Sequence, residues 1–261
     1  MNIKIKRDVL LKPLSNVSGI VEKRHALPIL SNLLLEGEDR ILKFTATDLE
    51  VQISLSINTD IKESFKTTIA ARKLFDITRA LPEESILDIQ IDDSKVMVKA
   101  KKSRFNLQTL PAKDYPVMVK NEGEAITFSV PQNQLKSLLK QVDFSMAQQD
   151  IRYYLNGLLF EVDGKRLNIV ATDGHRLSFT SVGLNEAQEK TQIIIPRKTI
   201  IELIKLMGDG DNPVTVSVTK NQVAFKFNDI DLITKVIDGK FPDYNRVIPV
   251  GHENVFDVDR L

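Results

Sequence analysis

The sequence predicts an α+β protein built from two tandem copies of one domain, each with two helices packed on antiparallel sheets. The first observation behind this is an internal repeat. At a constant offset of 125, Leu33-Leu34-Leu35-Glu36 falls on Leu158-Leu159-Phe160-Glu161, Leu42 on Leu167, Ala46-Thr47-Asp48 on Ala171-Thr172-Asp173, and Arg72-Lys73 on Arg197-Lys198. Tyr115-Pro116 meets Phe241-Pro242 at an offset of 126. A period this long exceeds that of solenoid repeats, so each copy is a whole domain, residues 1–120 and 126–252. The second observation is patterning: short alternating stretches typical of antiparallel strands are interrupted twice per copy by helical spacing. The third is a core supply dominated by Leu, Ile and Val, with 6% aromatics and no Trp.

The elements follow in order. Residues 3–6 alternate as a strand, and Asp8 is a candidate N-cap for a helix with Val9, Leu10, Leu14 and Val17 on one face. Pro13 lies inside that helix and should bend or shorten it; Ser18-Gly19 closes it. Residues 29–35 read as a strand after Pro28, Glu36-Gly37-Glu38-Asp39 as a turn, and residues 41–47 and 51–57 as further strands. Leu74, Phe75, Ile77 and Leu81 mark a second helix that ends before Pro82. Residues 87–91, 95–100 and 104–109 alternate again, and Lys120-Asn121-Glu122-Gly123-Glu124 reads as a linker. The second copy repeats the plan, with helices over 132–142 and 197–207. Near the end, Asn254-Val255-Phe256-Asp257-Val258-Asp259 is similar to Ile126-Thr127-Phe128-Ser129-Val130-Pro131, so residues 253–261 read as the start of a third copy, and the chain as a piece of a longer protein.

The absence of Cys excludes disulfides and thiol catalysis and is compatible with the cytoplasm, the expected location. No stretch approaches the ~18 apolar residues of a membrane span. The formal net charge is only +1, but the four predicted helices together carry +7, which leaves −6 for everything else. Positive helices sharing one face would suit a phosphate backbone, with contacts that depend on salt and not on base sequence. The bland alternative is that Lys and Arg are good surface helix formers.

Residues 151–177 hold the main divergence between the copies. The first has Leu49-Glu50-Val51 where the second has Gly174-His175-Arg176. The shared Thr-Asp is therefore expected to be structural, and Gly-His-Arg to carry an added function. Other chemistries find little support. Asp173 and His175 could share a strand face, with the carboxylate orienting the histidine as a general base, but the histidines, His25, His175 and His252, lack metal-ligand spacing, and no nucleophile or phosphate-loop motif is present. A nuclease would need clustered carboxylates, and a sequence-specific regulator a recognition helix.

The motifs Leu27-Pro28-Ile29-Leu30, Thr47-Asp48-Leu49-Glu50, Ala71-Arg72-Lys73, Arg104-Phe105, Ala171-Thr172-Asp173-Gly174-His175-Arg176-Leu177, Asp211-Asn212-Pro213 and Phe241-Pro242-Asp243-Tyr244, with residues 150–157, resemble those of the bacterial sliding clamp, the beta subunit of DNA polymerase III. The resemblance implies tandem DNA-clamp domains, three per subunit, two subunits closing head to tail into a ring around duplex DNA. It implies a processivity factor without catalytic site, cofactor or metal. DNA contacts would match Arg24, Lys73, Gln149, Tyr153 and Tyr154. If Tyr153 and Tyr154 occupy a strand they point opposite ways, so at least one is expected to be structural. A hydrophobic groove for short peptides of the polymerase III catalytic subunit, clamp loader subunits, other polymerases and repair proteins would match Leu155, Thr172, Gly174, His175, Arg176, Leu177, Pro242, Arg246 and Val247. Arg104, Phe105 and Leu107 match the subunit interface, with Phe105 and Leu107 expected to be exposed. With only a stub of domain three, the chain is expected to be a monomer or to associate in a nonstandard way, whereas the full-length protein would be a homodimer.

Overall fold

The computed structural model describes residues 1–21, 26–92, 94–121, 123–249, 251, 257 and 259. Arg24, His25, His252 and most of the predicted third copy (residues 253–256, 258, 260 and 261) therefore lie outside the described residues.

The first copy runs β1 (Asn2–Lys6), α1 (Arg7–Ser18), β2 (Asn32–Glu38), β3 (Ile41–Thr47), β4 (Val51–Asn58), β5 (Phe65–Ala70), α2 (Ala71–Ala80), β6 (Ile86–Ile91), β7 (Lys95–Ala100) and β8 (Ser103–Gln108). The second runs β9 (Ile126–Pro131), α3 (Gln132–Val142), β10 (Gly157–Thr172), β11 (Leu177–Pro196), α4 (Arg197–Leu206), β12 (Pro213–Val218), β13 (Gln222–Phe227) and β14 (Ile230–Lys235). Strand β5 escaped the sequence reading because Lys66-Thr67-Thr68 offers no apolar alternation, although Thr67 and Thr68 are buried.

Three local expectations fail for identifiable reasons. Helix α1 begins one residue before Asp8 and passes through Pro13 without shortening. Asp8 does not cap it; its Oδ2 accepts the N–H of Glu84 at 3.1 Å, and Lys6 holds the cap position. The apolar run after Pro28 begins as a 3-10 turn, Pro28–Ser31, closed by the Leu30 N–H on the Leu27 carbonyl, and becomes β2 only at Asn32. Glu36 and Gly37 belong to β2, opposite Lys43 and Leu42; the hairpin turns at Asp39 and Arg40, both at positive φ (46° and 66°). Two consecutive positive φ values suit the twist of the flanking strands. Gly37 is needed for space instead, because the Phe65 ring lies where its side chain would be.

Sheet topology joins the copies. A four-stranded sheet has the order β1-β6-β7-β8, and an eight-stranded sheet has the order β5-β2-β3-β4-β14-β13-β12-β9. The second sheet crosses the copy boundary where β14 pairs antiparallel with β4, from Ile230 opposite Leu55 to Thr234 opposite Val51. Two ion pairs flank this joint, Lys235 to Glu50 at 3.2 Å and Lys198 to Asp48 at 2.5 Å. The connecting segment is strapped along it: Gln52 bonds the backbone of Met118 through both ends of its amide (3.3 and 2.7 Å), and Gln222 does the same with Val119 and Asn121 (3.3 and 3.1 Å).

The helices form one layer. Helix α1 packs on α2 and α3 on α4, and the pairs adjoin where Gly19, past the end of α1, leaves room for the Glu202 carboxylate of α4. One aliphatic core with Phe44, Phe160 and Phe225 at its centre runs through both copies. Removing each such ring from water contributes roughly 1.5–3 kcal/mol.

Candidate functional site: two loops beside a small apolar cluster

The shared Thr-Asp builds the same turn in both copies. In the first, Thr47 Oγ1 donates to the Val51 carbonyl (2.9 Å) and accepts the Leu49 N–H (3.0 Å), while Asp48 Oδ1 accepts the N–H groups of Glu50 and Val51 (2.9 and 2.7 Å). In the second, Thr172 Oγ1 donates to the Arg176 carbonyl (2.7 Å) and accepts the Gly174 N–H (3.1 Å), and Asp173 Oδ1 accepts the N–H groups of His175 and Arg176 (2.9 and 3.0 Å). The expected structural role of Thr-Asp is thus seen. These bonds, first those from the His175 and Arg176 backbone, hold the Asp173 carboxyl down to about 2. The carboxylate does not orient the imidazole: Asp173 bonds the backbone of His175, and its Oδ2 is taken by Arg176 Nε at 3.0 Å. Arg176 also donates to the Phe144 carbonyl (2.6 Å) and lies over the Phe144 ring.

A second loop closes against this turn. Asn156 fixes it by donating to the Asp150 carbonyl and accepting the Asp150 N–H, both at 2.9 Å. Tyr153–Leu155 is a 3-10 turn, so Tyr153 and Tyr154 do not lie in a strand. The two rings meet edge to face, with Tyr153 58% exposed and Tyr154 half-buried. Arg152 spans the two loops: Nε and Nη2 donate to Asp150 (3.0 and 2.8 Å), and Nη2 also donates to the Asp173 carbonyl (3.1 Å). The Arg152 guanidinium, ahead of its backbone N–H, holds the Asp150 carboxyl down to about 2.

Beneath both loops lies an apolar cluster separate from the main core: Leu159, Val170, Ile194, Phe241 and Tyr244, with Tyr154, Leu177, Ile237 and Ile248 partly open around it. The Tyr244 ring stacks on Phe179, and its hydroxyl donates to Glu161, whose carboxylate also accepts from Gln192 and Asn168 (2.6 and 3.1 Å). A cavity of about 720 Å³ adjoins the cluster along Leu159, Ile194, Ile237 and Phe241.

This architecture has relatives. The family models described as DNA polymerase III beta subunit, N-terminal domain, and DNA polymerase III beta subunit, central domain, match residues 1–119 and 129–243. The beta sliding clamp of Pseudomonas aeruginosa is 43% identical over 262 aligned residues, covering all of this chain and 71% of the relative. The chain belongs to the beta sliding clamp family. The Escherichia coli K12 clamp is 43% identical over 250 residues, covering 95% of this chain and 68% of its own length. Among solved structures, the P. aeruginosa DnaN sliding clamp bound to griselimycin superposes with a TM-score of 0.92 at 43% identity, covering 97% of this chain and 69% of that one. Caulobacter crescentus pol III beta gives 0.89 at 39% identity, covering 96% and 69%. The chain thus corresponds to the N-terminal and central clamp domains, with the α+β clamp fold.

Within this clamp fold the residues singled out by sequence are partly brought together. Thr172, Gly174, His175, Arg176 and Leu177 form one turn, and Pro242, Arg246 and Val247 flank the buried Phe241 and Tyr244 beside the same cluster. Leu155 is 1% exposed, under the surface and not on it; the open or partly open apolar groups here are Val247, Tyr154, Leu177, Ile237 and Ile248. Gln149 (φ 56°) and Tyr153 are exposed on the neighbouring loop, and Lys73 is exposed in the first turn of α2. The edge expectation also needs correction. In β8, Leu107 is buried and Phe105 half-buried against the core, because alternation turns both inward; Arg104, Asn106 and Gln108 face out. What β8 leaves open is its backbone edge, since among the described residues it pairs only with β7. Sequence reasoning missed Phe144, Phe179, Glu161 and Arg152. No periodic signal marks them, because the contacts that bring them to the site, Arg152 with Asp173, Arg176 with Phe144, Phe179 with Tyr244 and Tyr244 with Glu161, are long-range.

Proposed function

We propose that this chain acts as the DNA-encircling, partner-docking part of a sliding clamp: a noncatalytic processivity factor that holds a polymerase on duplex DNA while gripping no base. The observation that carries this reading is the β4–β14 joint, which carries one sheet unbroken through both domains, while the helix pairs α1–α2 and α3–α4 adjoin at Gly19 and Glu202. A sheet outside and helices inside is what a segment of a ring needs. By the internal repeat, β8 is the counterpart of β14, and residues 177–182 of β11 are the counterpart of β4. Neither pairs further among the described residues. Both edges therefore suit the same joint with another clamp domain, and head-to-tail closure follows.

The helix layer supports phosphate contact. Lys73 sits in the first turn of α2, where the helix dipole disfavours a cation, and it forms no ion pair with any described residue. A phosphate would offset that cost. Gln149 and Tyr153 add a polar group and a stacking ring on the adjacent loop. Partner peptides of the polymerase III catalytic subunit, clamp loader subunits, other polymerases and repair proteins are read as docking on Leu177, Val247, Pro242 and the cluster beneath, with His175, Arg176 and Arg246 around the rim.

Sedimentation of the chain with the clamp loader subunit that opens clamps tests this. A complex that is lost in Leu177→Asp and Val247→Asp supports the docking surface. A complex that survives both substitutions places the partner elsewhere.

A further inference from the structure

Gly174 has φ +88°, which favours glycine without requiring it, because the equivalent Leu49 of the first copy holds φ +78° with a full side chain. Arg152 adds a second constraint: a Cβ at Gly174 would stand 2.8 Å from Arg152 Nη1, so the guanidinium would have to shift from its place. The repeat register pairs Arg152 with Leu27 just as it pairs Gly174 with Leu49. Each of Leu27 and Arg152 holds the N-cap position of a 3-10 turn whose third residue, Leu30 or Leu155, is buried. The scaffold is therefore common to both copies, and two positions have diverged together, leucine with leucine in one and arginine with glycine in the other.

We propose that Arg152 is a positioning residue for the partner-docking turn, acting through its donation to the Asp173 carbonyl and its close approach to Gly174; the inference rests on the docking reading above. The geometry gives it a lever that Leu27 lacks. Its planar fork is anchored on Asp150, which Asn156 in turn fixes to the 150–156 loop, and one of its nitrogens reaches across to the carbonyl immediately before Gly174. The turn that carries His175, Arg176 and Leu177 is thus tied to the loop that carries Tyr153 and Tyr154. A lysine would keep the charge and lose the fork. Preorganising a docking turn in this way raises affinity by reducing the ordering that a peptide must impose.

The test uses the whole chain and a fluorescein-labelled short peptide bearing Leu and Phe side chains, read by anisotropy, with a thermal melt of each variant. Leu177→Asp is expected to abolish binding. Arg152→Leu, Arg152→Lys and Gly174→Leu are each expected to weaken the peptide about tenfold, the scale of one lost charge-assisted hydrogen bond. The Arg152→Leu/Gly174→Leu double variant should be no weaker than either single one, because both act on one contact. Its melt should show a cooperatively folded chain, as expected of a pair that the first copy accommodates. Multiplying fold-losses in the double variant would overturn the proposal. So would wild-type affinity in Arg152→Leu while Leu177→Asp abolishes binding. If Leu177→Asp binds normally, or the wild type binds no peptide, the docking reading itself fails and takes this inference with it.

Discussion

Tyr244→Phe isolates one hydroxyl beneath the docking surface. The Tyr244 hydroxyl is one of three donors to Glu161, with Gln192 and Asn168. Burial alone would raise the Glu161 carboxyl, but the bonds from Tyr244, Gln192 and Asn168 outweigh it and hold the group below its ordinary 4.5. A hydrogen bond to a charged group contributes about 1.5–3 kcal/mol, so the variant should lose about 2 kcal/mol at neutral pH. At about 2–4 °C per kcal/mol for a chain of this size, the melting temperature should fall by about 4–8 °C. The sign with pH is fixed by the depressed carboxyl. Its stabilisation is fully present above the unfolded value and is lost as pH falls through the lower folded value. Removing the phenol raises the folded value, so the difference between wild type and variant should shrink in acid. Urea titrations from about pH 8 to about pH 3 measure this, with the slope m as the check that the unfolded states match. A difference that stays constant to the acid end would refute the reasoning, for the hydroxyl would then act without the carboxylate charge.

Four further outcomes are expected. In alkali, burial and the neighbouring Glu161 push Tyr244 up to about 12 from 10.0, so the wild type should lose stability as pH rises through that interval and Tyr244→Phe should not lose this part; paired melts decide. Because Asp173 sits at about 2 against an ordinary 3.8, its contribution to the docking turn is present above 3.8 and lost only as pH falls through about 2, so this group should leave peptide affinity flat down to about pH 4 in an anisotropy titration. Leu232→Ala, at a fully buried position of β14 beside the joint, should cost about 2–5 kcal/mol in denaturant unfolding. Lys73→Ala should weaken DNA binding to any sequence alike and flatten the log–log salt dependence by about one unit, measured by filter binding across a salt series.

Much of the architecture was legible in the chain because repeat register and strand–helix periodicity are local or translational signals. The period of 125 gave two domains, and the heptad-like spacing around Leu74 or Leu135 placed α2 and α3 within a residue or two. The Thr-Asp turn was legible too, since both copies share it and its bonds close within four residues. Local signals failed where a short apolar run had two solutions. After Leu27 and after Arg152 the chain takes a 3-10 turn, and no period distinguishes three or four residues of turn from as many of strand.

The sequence by itself determined the tandem clamp domains, their helices, the charge carried by those helices and the turn that diverged between the copies. Only the tertiary structure decided that β14 continues into β4, that Leu155 and Leu107 are sealed inside, that Tyr244 reaches Glu161, and that Arg152 rests on Gly174. The physical reason is the same in each case. These contacts join residues from 21 to about 180 positions apart, and their energies depend on burial and distance in the folded chain, which no window of sequence contains.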